Sequence, residues 1–466
     1  MRIPVPVSLS TLTLTSGINA REFRFMRFLY NLLLIPALVL ASPYYFWKMV
    51  RRGNWQKDFA QRLGIFSEPF KMKLIGRRVL WLHAVSVGEV NVTVPLVTEL
   101  LRRLNGWQII VSTTTATGMS ELKKKLPPEI LAIYCPIDCW PCRHSGFAAL
   151  NPTAVVLVEA EIWPNMVWQS SDRKLPLFLV NARISDKSFS RYKQFASLFS
   201  ALFGSFTSVG AQNSEDAQCL RELGCAESCV AVTGNMKYDA VSSNSATTNA
   251  RALLQKWGVA ESAPVLVAGS THDGEERLLA ESFRQLRRDW PDLVLIIVPR
   301  HQERSGDIAT QLTQQGFAPR LRSQMDAVPQ STQDKLLIVD STGELMSFYE
   351  IATVVFVGKS ITAHGGQNPI EPAALGKPAV FGPHMENFRA ISAELVRNDV
   401  AIQIENGEAL TGVLRELFAS PERRRVMGEN ARRVVAANSG ATLRTADLIE
   451  SELRRRIPTC PASSSS

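Results

Sequence analysis

From residue 79 onward, short apolar runs bounded by small and polar residues alternate with longer stretches of helical periodicity. Residues 79–83, 109–112, 154–158, 177–180 and 230–233 are nearly continuous in apolar side chains, which predicts strands buried on both faces. Between them the spacing is that of amphipathic helices. In 91–104, Val94, Leu96, Val97, Leu100, Leu101 and Leu104 are available to a core. Such alternation predicts a parallel α/β sheet. The polar segment 241–250 has little to pack and predicts an interdomain linker. A second alternation comes after it, with strand candidates at 265–268, 293–298, 336–339, 354–357 and 379–381 and a helix at 275–288. The expected architecture is therefore two Rossmann-like α/β domains, 53–240 and 251–456, facing each other across a cleft. Residues 457–466 are low in complexity and predict a disordered tail.

Ahead of the first domain, 28–47 is apolar apart from Asn31, Pro36, Ser42 and Pro43, about the length a bilayer crossing needs. Arg21, Arg24 and Arg27 precede it, and Lys48, Arg51, Arg52 and Lys57 come after it. This density of positive charge favours a membrane anchor over 27–52 with the rest of the chain in the cytoplasm. A cleaved signal peptide is the rival reading, with Ala41 and Ser42 as a poor cleavage site. The two prolines leave open whether the segment crosses the membrane or lies in its interface. Residues 1–26 read as a polar extension, and Met26 is a second candidate start. The formal charge of +9 and pI near 9.3 imply affinity for polyanions. No zinc-finger spacing or aromatic RNA-binding signature accompanies the basic residues, so an anionic membrane is favoured over nucleic acid.

Seven cysteines scattered through a chain of 466 residues point to a reducing compartment rather than a disulfide framework. Cys135, Cys139 and Cys142 share the C-x-x-x-C-x-x-C spacing of the iron–sulfur motif in radical S-adenosylmethionine enzymes. Pro136, Pro141 and the lack of a following glycine-rich signature favour a coincidental trio.

Chemistry is concentrated where strands end. Glu89 closes an apolar run and a small-residue turn, at the edge where open parallel sheets bind ligands. A carboxylate there suits a general base, and equally suits the first turn of a helix. Glu159 and Glu161 come after another strand, with Trp163 as a platform for a sugar or lipid. Lys237 stands just before the linker and fits neutralisation of a developing negative charge. In the second half, Pro299 and Arg300 put a guanidinium at a strand end, where it suits phosphate. The turn carrying Thr342, Gly343 and Glu344 offers backbone N–H groups to a ligand. After Gly365 and Gly366, Asn368 can cap a helix, Pro369 fits its first position, and Glu371 can accept from ribose hydroxyls, with Ile370 between them. No D-x-D pair is present, so a diphosphate-bridging metal is not expected.

These segments together resemble the bacterial 3-deoxy-D-manno-octulosonic acid (Kdo) transferases of lipopolysaccharide assembly. The motifs HAVSVGE (83–89), EAEIWPN (159–165), NARIS (181–185), AQNSED (211–216) and TGNMKYD (233–239) occur in order, then STHDGEE (270–276) and PRH (299–301). GELMSFY (343–349), FVGKS (356–360), GGQNPIEPAA (365–374) and GPHMENF (382–388) complete the set. The resemblance implies a GT-B glycosyltransferase fold with an N-terminal membrane-anchor helix, and transfer of Kdo from CMP-Kdo to lipid A precursor (lipid IVA) at the cytoplasmic face of the inner membrane. It implies Glu89 as proton acceptor and Glu159 and Lys237 as transition-state stabilisers. It assigns CMP to Pro299, Arg300, Thr342, Gly343, Glu344, Asn368, Pro369, Ile370 and Glu371. CMP-Kdo is then the donor substrate, and no cofactor or metal is expected. Lys359 departs from the family, which usually has a second glycine there. Another GT-B nucleotide-sugar enzyme, or a membrane-tethered nucleotide-binding protein without turnover, are the alternatives that the architecture accommodates.

Overall fold

A computed structural model describes residues 20–51, 58–160, 162–242, 248–325 and 334–457. Residues 1–19 of the expected extension, 243–247 of the linker and 458–466 of the tail lie outside the described residues, as does Glu161. The chain divides into two compact units, 1–236 with 440–466 and 237–439.

The amino-terminal unit contains β1 (Arg78–His83), β2 (Trp107–Thr113), β3 (Leu131–Tyr134), β4 (Ala154–Val158), β5 (Leu177–Ala182), β6 (Ser208–Ala211) and β7 (Val230–Val232). They form one sheet in the order β3-β2-β1-β4-β5-β6-β7, with all pairings parallel. The carboxyl-terminal unit contains β8 (Val265–Thr271), β9 (Val294–Pro299), β10 (Arg320–Leu321), β11 (Leu336–Ile338), β12 (Val354–Val357), β13 (Ala379–Phe381) and β14 (Ala401–Gln403). Their order is β10-β11-β9-β8-β12-β13-β14, again all parallel. The apolar runs are strands because both faces are covered: Leu80, Trp81, Leu82, Val155, Val156 and Leu157 are fully buried. The order reverses beside β1 and beside β8, so each unit has a crevice-forming switch point where its first strand ends.

The strands β3, β6, β10 and β14 are not among the candidates that apolar patterning supplies. β6 is Ser-Val-Gly-Ala, poor in strand formers, and Gly210 serves because an added Cβ would come within 2.7 Å of Thr233 Oγ1. β10 and β14 are edge strands of two and three residues, too short for a readable period.

Five helices bear on the strand-end loops and the two ends of the chain. Helix α1 (Ala20–Arg51) precedes the first sheet, α2 (Val87–Arg103) comes after β1, α3 (Glu275–Leu286) comes after β8, α4 (Ile370–Ala374) precedes β13, and α5 (Ala441–Arg456) is the last element. Along α1, Arg24–Tyr44 is long and apolar enough to cross a membrane, by length and composition. Phe28, Leu32, Leu33, Ile35, Val39 and Leu40 are exposed. Its amino-terminal half is tied to the first unit. Arg27 pairs with Asp172 at 2.6 Å, Tyr30 Oη donates to Asp138 at 3.1 Å, and Asn31 exchanges hydrogen bonds with Asn165.

The domain limits expected from sequence need correcting. Residues 237–242 form a helix belonging to the second unit, where Tyr238 Oη donates to Glu394 at 2.8 Å. Helix α5, expected in the second domain, belongs to the first. It buries Ala446, Ile449 and Leu453, and Arg444 Nε donates to the Thr233 carbonyl at 2.8 Å. Arg103 on α2 reaches Asp447 and Glu450 on α5. A helix's apolar face fits any complementary sheet layer, so periodicity alone does not say which unit it covers. In the cysteine trio, Cys135 Sγ accepts from the buried Arg143 at 3.0 Å, and Cys139 occupies the N-cap position of the helix Trp140–Leu150 without a side-chain cap hydrogen bond.

Ile449 is fully buried although it lies near the end of the chain. Ile449→Ala is expected to destabilise the amino-terminal unit by about 2–5 kcal/mol through the cavity it leaves. Unfolding monitored by the fluorescence of Trp81 and Trp168 measures this; no change would mean that α5 is not part of that unit.

Candidate functional site

In the amino-terminal unit the candidate residues lie where β1, β4, β5 and β7 end. Ser86 caps α2, its Oγ accepting from Glu89 N at 3.3 Å. In return Glu89 Oε1 accepts from Ser86 Oγ at 2.8 Å and Oε2 from Val85 N at 2.7 Å. This reciprocal arrangement is a variant of the capping box in which the carboxylate reaches the N–H one residue before the cap, so both readings of Glu89 apply to its position: it completes the first helical turn, and it stands at a strand's carboxyl end. The side chain is buried, and these bonds fix the direction of its carboxylate.

Glu159 comes directly after β4 with φ of +59°, a left-handed conformation rare outside glycine. Its N–H donates to Val180 O at 2.9 Å, and Asn181 Nδ2 lies 3.5 Å from its Oε1. Asn181 has φ of +50° at an irregularity in β5 and is fully buried. Its Oδ1 accepts from Met236 N at 3.0 Å and its carbonyl from Gln212 Nε2 at 3.0 Å. Gln212 in turn accepts from Asn235 at 3.0 Å. One buried polar chain thus holds Glu159 and the residues just before Lys237. The Lys237 ammonium stands 5.5 Å over the Phe388 ring within the second unit. Patterning does not single out Asn181 and Gln212, although they lie in the motifs NARIS and AQNSED. Two polar residues at the ends of apolar runs are the signal that the sequence offers.

The carboxyl-terminal unit repeats the strand, turn, Gly-Glu, helix arrangement, with Glu275 opening α3 after Gly274. Here the carboxylate is fully engaged. Glu275 accepts from the backbone N–H groups of His272, Lys359, Ser360 and Ile361 at 2.8–3.0 Å and has no exposed surface. It binds the loop after β12 to the loop after β8. Gly358 permits the approach, since a Cβ there would come within 2.5 Å of the Ser270 carbonyl. Ser270 and Lys359 both have positive φ, at +54° and +58°. The latter explains why glycine suits position 359 and means that lysine is held there against a backbone preference of about 1 kcal/mol.

The held residues make a positively charged pocket edge. His272 is pushed down to about 4, first by burial and then by the charges of Lys359, His301, Arg304 and Arg300. It is therefore neutral at pH 7 among cations, of which Arg304 is paired with Glu276 and Asp273. Such a concentration of positive potential at strand ends fits a phosphate group. His272 and Ser270 are candidate site residues that sequence reasoning does not single out, and it names Lys359 only as a departure from the family, because their convergence is set by the Glu275 clamp.

The other expected nucleotide contacts lie at the end of β9, after β11 and around the start of α4. Pro299 is buried as the last residue of β9, and Arg300 is exposed, its N–H donating to Thr271 O at 3.1 Å. Thr342 and Gly343 are exposed, with φ of +88° at the glycine. Glu344 is turned inward, its carboxylate accepting from Thr248 at 2.6 Å, from Ser341 and from Arg322 at 3.3 Å. Asn368 Oδ1 accepts from Ile370 N at 3.1 Å, and its amide donates to Glu371 at 3.2 Å. Pro369 precedes the first helical residue, Ile370, rather than occupying it. Glu371 is pushed up to about 7 by burial, offset by Asn368 and the Arg300 charge, which places it electrostatically with Arg300. The lack of a D-x-D pair does not exhaust the metal question: among the described residues His364, His384 and Glu386 converge.

Residues 57–240 match the family described as 3-Deoxy-D-manno-octulosonic-acid transferase (kdotransferase), and 275–434 match Glycosyl transferases group 1. The 3-deoxy-D-manno-octulosonic acid transferase of Haemophilus influenzae is 30% identical over 432 residues, 92% of this chain and all of that protein. That of Bordetella pertussis is 30% identical over 414 residues, covering 87% and 94%. The MnaA–UDP co-structure from S. aureus superposes on 82% of this chain and 99% of that one, with a TM-score of 0.56 at 15% identity, a likeness of fold. The two parallel seven-stranded units are the GT-B glycosyltransferase fold.

The pocket edge generates two expected outcomes. Lys359→Gly is expected to weaken CMP binding about tenfold, as for loss of one charge-assisted contact, without lowering the unfolding temperature. Calorimetric titration and thermal unfolding measure both, and unchanged affinity would remove Lys359 from the site. For Glu371, the native carboxyl keeps its proton up to about 7 while an unfolded one loses it near 4.5. Its contribution to stability is complete below 4.5 and is lost as pH rises through 7. Glu371→Gln should therefore flatten the fall in stability between these pH values, by up to about 3 kcal/mol. An unchanged profile in denaturant unfolding would contradict the raised value.

Proposed function

Because the chain belongs to the 3-deoxy-D-manno-octulosonic acid (Kdo) transferase family, we propose that it transfers Kdo from CMP-Kdo to lipid A precursor (lipid IVA) with inversion at the anomeric carbon. The observation that carries the donor half is the cationic edge made by Arg300 and Lys359 around the neutral His272 at the strand ends of the carboxyl-terminal unit, with Glu371 beside it. A nucleoside monophosphate offers that edge a phosphate, and its ribose offers hydroxyls to Glu371. Glu89 takes the proton of an acceptor sugar hydroxyl as that oxygen attacks the anomeric carbon. CMP departs as an anion, and Arg300 and Lys359 stabilise the charge on its phosphate. Glu159, oriented by Asn181, stabilises the positive charge that develops at the reacting sugar, and Lys237 neutralises developing negative charge. No cofactor takes part in this scheme.

The acceptor is a phosphorylated lipid, and α1 carries an apolar segment of the length that a membrane anchor needs. The basic flanks of α1 and the net charge of +9 support placement of the catalytic units on the cytoplasmic face of the inner membrane. Exposed Ile65, Met72 and Ile75 add apolar surface to the amino-terminal unit.

Incubation of the protein with CMP-Kdo and lipid IVA, then mass spectrometry of the lipid, tests the reaction and counts the sugars added. Glu89→Gln is expected to lower turnover by at least about 100-fold while CMP binds as before. Arg300→Ala is expected to weaken CMP binding about tenfold. Normal turnover in the Glu89 variant would remove the proposed base, and competition by UDP rather than CMP would indicate a different donor.

A further inference from the structure

We propose that His364, His384 and Glu386 bind one divalent transition ion of the zinc class. One ligand atom from each lies within 4.8 Å of the others. His364 Nδ1 is 2.9 Å and His384 Nδ1 is 3.6 Å from the same Glu386 Oε1, and the ring centroids are 3.9 Å apart. Two imidazoles and a carboxylate are a donor set that Zn²⁺ takes, and three protein ligands leave a further position for water or another oxygen. Ligand bonds of about 2.0–2.2 Å put neighbouring donor atoms of a tetrahedral ion roughly 3.3–3.6 Å apart. Closing the site therefore needs side-chain shifts of about 1 Å or less.

The surroundings suit an ion as well. Gly365 N donates to Glu386 Oε2 at 2.7 Å, so the carboxylate plane is set by an outer contact while Oε1 is directed at the histidines. Asn387 N donates to Gly365 O at 3.0 Å, and His384 N to Ser360 O at 3.0 Å, so backbone contacts join the two ligand-bearing loops. The His364 side chain is 76% exposed and that of Glu386 42%, which gives an ion a path in and lets the ligands adjust. A bound ion would fasten the start of the glycine loop four residues before Asn368. Any effect on the donor rests on the proposed function, but the site itself does not.

Tag-free full-length protein, stripped with EDTA and titrated with Co²⁺, gives the test. The expected result is one equivalent bound, with visible bands of four- or five-coordinate Co²⁺ that Zn²⁺ removes. His364→Ala, His384→Ala and Glu386→Gln should each weaken binding at least about tenfold, with the unfolding temperature in EDTA unchanged for the exposed His364. Absence of bands up to about 1 mM Co²⁺, or parent-like affinity in any of the three variants, overturns the site. CMP binding measured on the same samples separates this result from the donor reading, since Co²⁺ binding needs no nucleotide.

Discussion

Every sheet pairing in this protein's described residues is parallel, and most of the structure's functional geometry stems from that constraint. A parallel partner is reached only by crossing over the sheet, so each strand is succeeded by a covering segment and both sheet faces are buried. All strands of a unit then end along one edge. Residues far apart in sequence, such as Glu89 with Glu159 and Asn181, are brought to that edge, where the Glu275 clamp further holds His272 and Lys359 together. Strand order adds the position: the reversals beside β1 and β8 set the loops carrying Glu89 and Glu275 at the two switch points.

The two units use the same Gly-Glu turn for different ends. Glu275 accepts four backbone N–H groups and acts as a clamp, which makes its carboxylate part of the architecture. Glu89 is held by Val85 and Ser86 of its own loop, which orients it without tying another loop to it through those bonds. Around these turns Glu159, Asn181, Ser270 and Lys359 adopt left-handed backbone conformations at strand ends. Each costs about 1–3 kcal/mol relative to an ordinary conformation, and buried hydrogen bonds offset the cost. Such residues concentrated at the ligand edge of both sheets are consistent with a site selected for geometry over stability.

The long apolar helix and the first strand framework are also joined in one unit. Helix α1 presents exposed apolar side chains along much of its length, yet Arg27, Tyr30 and Asn31 fasten its amino-terminal half to Asp172, Asp138 and Asn165. Asp138 is at the same time paired with the buried Arg143, so the point where α1 attaches belongs to the core of the first unit. Helix α5 closes the opposite end of the chain back onto that unit, through Ile449 and the Arg103 ion pairs.

Sequence alone determined the class of fold, the long apolar amino-terminal segment, the family and the strand-end candidates, because apolar period and turn chemistry are local properties of neighbouring residues. Ten of the fourteen described strands are readable in this way, whereas β3, β6, held by close packing of Gly210, and the short edges β10 and β14 are not. Only the tertiary structure decided that Lys237 begins a helix of the second unit, that α5 returns to the first, and that Glu344 faces inward. It alone revealed the Glu275 clamp, the grouping of His272 with Lys359 and Arg300, and the convergence of His364, His384 and Glu386. These depend on which loops a buried carboxylate or a missing Cβ allows to meet. That is a property of long-range packing, and no local pattern encodes it.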